Sequence, residues 1–314
     1  MVSSIRSFLL VVAAITTSLT PLPGAAAGAV VPAEEVVAFH RPSAGSRDIF
    51  LVTPDGLPVG NLTASPSTRD VDPSWAPSGH RIAFARRRPG SVHEIHTIAP
   101  TGESLRRLTA SGFDDREPAW SPSGERIAFV RSRPARGWSR LMTMSSAGST
   151  VASLTSARRG RFDASPSWSP DGTALVFARS DGGFPSLWVV QADGSGLRRL
   201  TSEGCSDANP SWGAAGIVFD RTCGGGAADL WIVDAAGGSP LNLTSTPGVA
   251  ELDPDWSPGG EGIAHLTQTP GSGGVDLAVR MPWTSPGTVV AAGGASEVGP
   301  DWHRLGRVGG RPCT

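Results

Sequence analysis

The sequence has no tyrosine and no lysine, and only 3 cysteines among its 314 residues. All 27 basic residues are arginine and 28 residues are acidic, so the net charge of −1 argues against a partner held by bulk charge, such as nucleic acid. No segment after the first 27 residues keeps the period of an amphipathic helix. The apolar stretch at 8–19 is too short to span a bilayer.

The N-terminal residues have the order of an export signal. Arg6 precedes the apolar stretch, and small residues follow up to an Ala-x-Ala cleavage site at Ala25–Ala27. We therefore expect a signal peptide over residues 1–27, a linker over 28–33, a folded domain over 34–304 and a flexible tail over 305–314. No cysteine follows the cleavage site, so no lipid anchor is expected. The mature chain is predicted to be a secreted or periplasmic monomer.

A tryptophan preceded two residues earlier by proline recurs at steps of 45, 48, 44, 44 and 46 residues. The members are Trp75, Trp120, Trp168, Trp212, Trp256 and Trp302. Each repeat holds a run ending at Trp, an IAF-like run, a DIW-like run and a run ending in Leu-Thr, separated by Pro- and Gly-rich turns. Four short strands per repeat at this period predict the blades of a β-propeller. The tryptophan rings are expected to fill the contacts between neighbouring blades rather than to bind a ligand.

The two ends of the chain each supply part of a repeat. Val36–Phe39 is an IAF-like run with no Trp phrase before it, and the phrase at Trp302 has no IAF-like run after it. We therefore predict an all-β fold of six four-stranded antiparallel blades, in which the C-terminal strand pairs in the first blade and closes the ring. Seven blades need more residues than 28–314 supply.

Two of the cysteines fall at the same end of one predicted blade. Cys205 precedes a Trp strand and Cys223 follows the next strand, and these two strands are antiparallel neighbours. We predict a disulfide between them, which suits an oxidising compartment. Cys313 is left over.

Each repeat also has an acid five residues before its tryptophan. The set is Asp70, Asp115, Asp163, Asp207, Glu251 and Glu297. We expect these acids to form a ring at the mouth of the central channel. There they either accept bonds from backbone N–H groups and arginines or hold a cation, for which calcium is the candidate. No other metal or cofactor is expected.

A propeller has a turn face, which carries the tight Pro-Gly and Asp-Gly turns, and a loop face, which carries the longer loops. Arginines crowd one sector of the loop face. They are Arg86, Arg87, Arg88, Arg131, Arg133, Arg136, Arg140, Arg158, Arg159 and Arg161. Trp138, Phe113, Phe162 and Phe184 lie among them. This sector is either a protein-binding surface or a solvated rim with aromatics tucked under loops.

Signals of catalysis are weak, and we assign no catalytic residue. The sequence has no G-x-S-x-G elbow, and His93 and His96 do not have the HExxH spacing of zinc ligands. His96 aligns with Trp188 and Trp231 of other repeats, which indicates a packing position.

The repeated phrase resembles the TolB-type propeller repeat. It matches best at Asp163–Phe177, Asp115–Phe129 and Asp70–Phe84, and the likeness extends over residues 34–303. TolB is a periplasmic six-bladed propeller that follows an N-terminal α/β domain and binds a peptidoglycan-associated lipoprotein. We find no counterpart of that domain, so the resemblance implies the propeller and a general binding role. Similar repeats occur in prolyl oligopeptidase-like enzymes and in oligogalacturonate lyase.

Three functions are therefore open. The first is an exported module that binds a protein or peptide of the cell envelope or extracellular space. The second is a propeller enzyme, a lyase or hydrolase, that acts on a polysaccharide or peptide with the acid ring at the channel mouth. The third is a purely structural envelope protein. Fold alone does not decide among them.

Overall fold

A computed structural model describes residues 35–304, except residues 44, 202–203, 272–273, 282–286 and 292–297. The expected signal peptide, linker and tail, together with Glu297 and Cys313, lie outside the described residues. The described secondary structure is β-strand throughout, apart from one 3-10 turn at Pro134–Arg136. Over these ranges no helix has the length and apolarity needed to cross a membrane.

The strands form four-stranded antiparallel units. The first unit contains β1 (Glu35–Ser43), β2 (Ser46–Val52) and β3 (Pro58–Asn61), and the second contains β4 (Arg69–Trp75), β5 (Ile82–Arg87), β6 (His93–Ile98) and β7 (Arg106–Arg107). The third contains β8 (Asp114–Trp120), β9 (Arg126–Arg133), β10 (Trp138–Ser145) and β11 (Ala152–Ser153), and the fourth β12 (Arg161–Trp168), β13 (Ala174–Asp181), β14 (Ser186–Gln191) and β15 (Arg198–Arg199).

Two more units follow along the chain. The fifth contains β16 (Cys205–Gly213), β17 (Gly216–Cys223), β18 (Asp229–Val233) and β19 (Leu241–Asn242), and the sixth β20 (Ala250–Trp256), β21 (Ile263–Gln268), β22 (Asp276–Arg280) and β23 (Thr288–Ala291). The last strand, β24 (Val298–Arg304), returns to the first unit and pairs with β1. The architecture is an all-β propeller with four-stranded antiparallel blades.

The first two units differ from the sequence prediction of separate blades. A single parallel bridge between Arg47 of β2 and Arg69 of β4 joins them into one eight-stranded sheet, while the other units are separate sheets of 4 strands. The sequence pattern could not reveal this bridge, because turns and Trp phrases specify pairing inside a unit. They carry no information on how closely the strand starts of neighbouring units approach.

The first and last described strands lie side by side. In the antiparallel pairing of β24 with β1, Glu35 is opposite Arg304 and Val37 is opposite Trp302. The backbone N–H of Trp75 in β4 donates a hydrogen bond to the carboxylate of Asp301 in β24. Apolar packing also connects the first and sixth units, since Val37 belongs to the same buried cluster as Leu277.

The repeated tryptophans pack between units. Trp75 lies in a buried cluster with Val36 and Ile49 of the preceding unit. The indole N–H of Trp168 donates to the carbonyl of Ala119 at 3.0 Å, and that of Trp256 donates to Gly216 at 3.2 Å, in each case across to the preceding unit. The predicted packing role is therefore confirmed for the five described tryptophan side chains, Trp75, Trp120, Trp168, Trp212 and Trp256.

The Leu-Thr ending of each repeat has a local cause. The threonine hydroxyl accepts the backbone N–H of the third strand, from Ile95 to Thr109 at 2.9 Å and from Leu187 to Thr201 at 3.0 Å. The hydroxyl thus satisfies a donor that would otherwise be buried unpaired beside a two-residue outer strand.

The predicted disulfide is confirmed. Cys205 and Cys223 are opposite each other in the pairing of β16 with β17, with Cα atoms 4.6 Å apart, and their sulfurs are bonded. It ties the innermost strand of the fifth unit to its second strand at the loop face.

We predict that removing residues 298–314 lowers the melting temperature and promotes aggregation. The deletion exposes the edge of β1, removes the acceptor of the Trp75 N–H and uncovers apolar side chains of the first unit. Thermal melting followed by circular dichroism, with light scattering, measures both effects. Removing residues 305–314 alone is the control, since it keeps β24. Equal melting temperatures for the two truncations would contradict the pairing seen here.

Candidate functional site

An extra residue in each innermost strand decides which side chains face the centre. In β4, Asp70 is opposite Arg86 and Trp75 is opposite Ile82, with a register shift between Val71 and Ser74. Arg86 and Ile82 are four residues apart on β5 and share a face, so Asp70 and Trp75 share one as well. Five residues apart in a regular strand, they would point to opposite faces. The bulge therefore turns the acid away from the channel.

The acids five residues before the tryptophans are buried in bidentate ion pairs. The Nε–Oδ1 distance is 2.7 Å for Arg86–Asp70 and Arg131–Asp115 and 2.6 Å for Arg179–Asp163 and Arg221–Asp207. None of these four aspartates has any exposed surface. Each guanidinium also lies over the buried phenylalanine two residues before it, at 5.0 Å for Arg179 over Phe177.

Glu251 has a looser arrangement in the sixth unit. Its carboxylate lies 3.3 Å from Arg280 and 3.8 Å from His265, and burial raises its pKa. None of the five described acids of this set lines the central cavity. The expected ring at the channel mouth is thus a set of ion pairs between strands, which agrees with the interpretation of the acids as partners of arginine. In the described ranges, no three His, Cys, Asp or Glu side chains form a grouping able to hold a metal ion.

The central cavity has a volume of about 690 Å³ and is lined by the innermost strands. The residue three positions before each tryptophan lies on its wall with a positive φ. The set is Asp72 (55°), Glu117 (51°), Ser165 (51°), Asn209 (46°) and Asp253 (51°). Residues other than glycine adopt this conformation only where the surroundings impose it. The sequence analysis missed these residues, because an acid-to-Trp spacing does not reveal a bulge.

Hydrogen bonds run around the cavity from one unit to the next. The N–H of Ser165 donates to Glu117 Oε2 at 2.6 Å, and the Ser165 hydroxyl donates to Asn209 Oδ1 at 2.9 Å. The N–H of Glu117 lies 3.4 Å from Asp72 Oδ2, and the N–H of Asp72 donates to His40 Nδ1 at 3.2 Å. These contacts hold the positive-φ residues in place.

The wall of the cavity is acidic. Asp72, Glu117, Asp253, Asp255 and Asp301 line it, and Arg116 is the only basic residue in the described lining. Burial, followed by the charge of Asp72, raises the pKa of Glu117 to about 7. Burial and the charge of Asp255 likewise raise the pKa of Asp301 well above its ordinary value.

The arginine-rich sector divides into paired and unpaired side chains. Arg86 and Arg131 are held in the buried ion pairs. Arg161 and Arg158 approach Asp181 at 2.9 and 3.8 Å. Arg140 lies over the ring of Trp138.

The remaining arginines of the sector are Arg87, which is half-buried, and Arg88, Arg133, Arg136 and Arg159, which are exposed. Among the described residues none of these five has an acidic partner, although Arg133 lies 5.4 Å from the ring of Phe113. Phe162 and Phe184 are 45% and 71% exposed. The structure therefore leaves both free positive charge and uncovered aromatic surface in this sector.

The fold and the site define a β-propeller with an acidic central cavity. A family model of the TolB β-propeller domain matches residues 17–216, more than half of the chain. The chain belongs to the TolB β-propeller family. Comparison with curated proteins gives no match.

Several solved structures share the fold. TolB from Acinetobacter baumannii aligns with a TM-score of 0.71 at 21% identity, over 86% of this chain and 66% of that protein. A protein assigned as TolB from Agrobacterium tumefaciens gives 0.62 at 16% identity, over 82% and 88%. A puromycin-hydrolyzing peptidase of Mycobacterium tuberculosis gives 0.59 at 15% identity, over 81% and 45%. At these identities the likeness shows the fold alone.

We predict that Arg179→Met destabilises the protein by about 3–5 kcal/mol, because it leaves the carboxylate of Asp163 buried without its counter-charge. Urea unfolding measures the loss. Arg198→Met on an exposed outer strand is the matched control and should change stability by less than about 0.5 kcal/mol. A similar small loss for Arg179→Met would show that the pair does not stabilise the contact between the first two strands of the fourth unit.

We predict that the titration of Glu117 makes the free energy of unfolding fall as pH rises from about 4.5 to about 7. The folded state holds the proton across this window while the unfolded carboxyl, with its ordinary value of 4.5, has lost it. Glu117→Gln should remove this part of the pH dependence, worth about 1.4 kcal/mol for each unit of pKa shift. Urea unfolding at several pH values tests it, with the exposed Glu125→Gln as control. Parallel profiles for wild type and Glu117→Gln would contradict the assignment.

Proposed function

We propose that this protein is an extracytoplasmic propeller of six blades that binds a protein or peptide partner on its loop face. Counting the eight-stranded sheet as two blades, with β24 as the inner strand of the first, gives the six. The count is supported by buried apolar clusters that connect each unit with the next and the sixth with the first. The disulfide between Cys205 and Cys223 supports an oxidising compartment.

The observation that carries the binding function is the uncovered arginine and aromatic surface between the third and fourth units. Arg133 and Arg136 are on the β9–β10 hairpin, Arg159 is on the loop to the fourth unit, and Phe184 is on the β13–β14 loop. Arginines and aromatics are the side chains most enriched in protein interfaces. Loops on a rigid scaffold are also where binding residues concentrate.

The positive charge of this surface favours an acidic partner. The exposed arginines lack acidic partners in the described chain, and the carboxylate of Asp181 already engages Arg161. An acidic protein segment would supply the missing carboxylates, and guanidinium–carboxylate pairs give geometric specificity as well as attraction. The aromatic rings would add apolar contact area.

The enzymatic alternative depends on acids that are not available to a substrate. Asp163 and its equivalents are fully buried and hold arginines, so they do not contact a polymer in the channel. The name of the M. tuberculosis neighbour describes hydrolysis of puromycin, and the present chain spans 45% of that protein. These observations favour the binding function.

We predict that replacing Arg133, Arg136 and Arg159 together by Ser reduces capture of the partner at least tenfold without changing the melting temperature. The three side chains are exposed, so their loss removes interface charge and little folding energy. The measurement is crosslinking and affinity capture from the exported fraction of the native host, using the tagged full chain as bait.

The control replaces Arg81, Arg106 and Arg198, whose side chains bond to backbone carbonyls near the tight turns. This variant loses the same charge and should capture normally. Equal capture by both triple variants would refute the proposed surface, and no captured protein with the wild-type bait would refute the proposed function.

A further inference from the structure

Three arginines come from different strands near the place where the first two units join. Arg47 is the second residue of β2, Arg69 begins β4 and Arg116 is in β8, where it lines the cavity beside Asp72. Arg47 and Arg69 are bridge partners at the place where the first two units join. Arg69 is in turn opposite Arg87 of β5. Neighbouring strands are about 4.8 Å apart, so this row brings like charges unusually close.

Only one of these arginines is neutralised by the described residues. Burial opposes the charged form of Arg116, but the charges of Asp72, Glu117 and Asp114 raise its pKa. Arg116 Nε approaches Asp72 Oδ2 at 3.4 Å, which is long for an ion pair. Neither Arg47 nor Arg69 forms a salt bridge to an acid of the described chain. Like charges opposite each other on adjacent strands destabilise a sheet. The arrangement therefore costs folding free energy unless an anion binds.

The electrostatic surroundings agree with this geometry. Burial, and then the positive charges of Arg69 and Arg116, lower the pKa of Arg47, while Asp72 acts in the opposite direction. Burial lowers the pKa of the neighbouring His40 to about 4, so its ring is neutral and accepts the N–H of Asp72. Asp72 thus acts on both Arg47 and Arg116, and Glu117 and Asp114 add to its effect on Arg116.

We infer that Arg47, Arg69 and Arg116 form a carboxylate-binding site that receives an acidic side chain or the C-terminal carboxylate of the partner. The inference rests on the proposed binding function and adds a second contact point, beside the central cavity. A carboxylate fits better than a phosphate, because the carboxylate of Asp72 stands beside Arg116 and repels a doubly charged group more strongly. Arginine can hold a carboxylate through two parallel hydrogen bonds.

The test uses the full chain and defined probes. Isothermal titration calorimetry compares the peptide acetyl-Gly-Asp-Glu-Asp-Gly, its Asn/Gln counterpart with an amidated C-terminus, and inorganic phosphate. The acidic peptide should bind, and Arg47→Gln/Arg69→Gln should weaken its affinity at least tenfold. The matched control, Arg106→Gln/Arg198→Gln, removes two exposed arginines elsewhere and should bind as wild type does. Retained affinity in the first double variant, or tighter binding of phosphate than of the acidic peptide, overturns the inference.

A second measurement needs no ligand. At low ionic strength Arg69→Gln should raise the melting temperature, because it relieves repulsion from Arg47 and Arg87, and the gain should shrink in high salt. A lower melting temperature for Arg69→Gln overturns the inference. Failure of these tests leaves the capture result at Arg133, Arg136 and Arg159 standing, so the two proposals are judged separately.

Discussion

The ion pair between the innermost-strand acid and the arginine of the next strand, found in the second to fifth units, is the interaction on which this propeller depends. It is made possible by the bulge, which moves Asp163 to the face shared with Trp168 and places Arg179 over Phe177. A buried pair of this kind contributes little net energy while intact, and breaking it is expensive because one charge is left alone. It therefore fixes the register of the first two strands in each of these four units.

The bulge that permits this ion pair also determines which residues line the cavity. Because the bulge removes the repeated acid from the wall, the wall is built from the residue two positions later, in a positive-φ conformation. Those residues bond to one another across the units, from Glu117 to Ser165 and from Ser165 to Asn209. The acidity of the cavity wall and the hydrogen bonds between neighbouring units are thus two results of one backbone irregularity.

The sequence predicted the strands, the packing of the tryptophans and the disulfide, because period, turn residues and alternation determine them locally. For the acids it left arginine pairing and cation binding open and placed them at the channel mouth, where the structure has none of the five described acids. It did not predict the direction of the channel-lining residues, since a bulge changes sidedness without leaving a compositional signal. It also overstated the arginine-rich surface. Arg86 and Arg131 are already held in ion pairs with Asp70 and Asp115, and only the strand register reveals this.

The hydrogen bonds along the cavity wall depend on an acceptor oxygen at each of its positive-φ positions. Its five positions are occupied here by aspartate, glutamate, serine, asparagine and aspartate, all of which carry an oxygen able to accept a neighbour's N–H. Exchange of an acid for an amide or a hydroxyl keeps that acceptor and alters the local charge. Such exchanges would change the charge of the cavity wall in this protein while keeping the hydrogen bonds that connect its units.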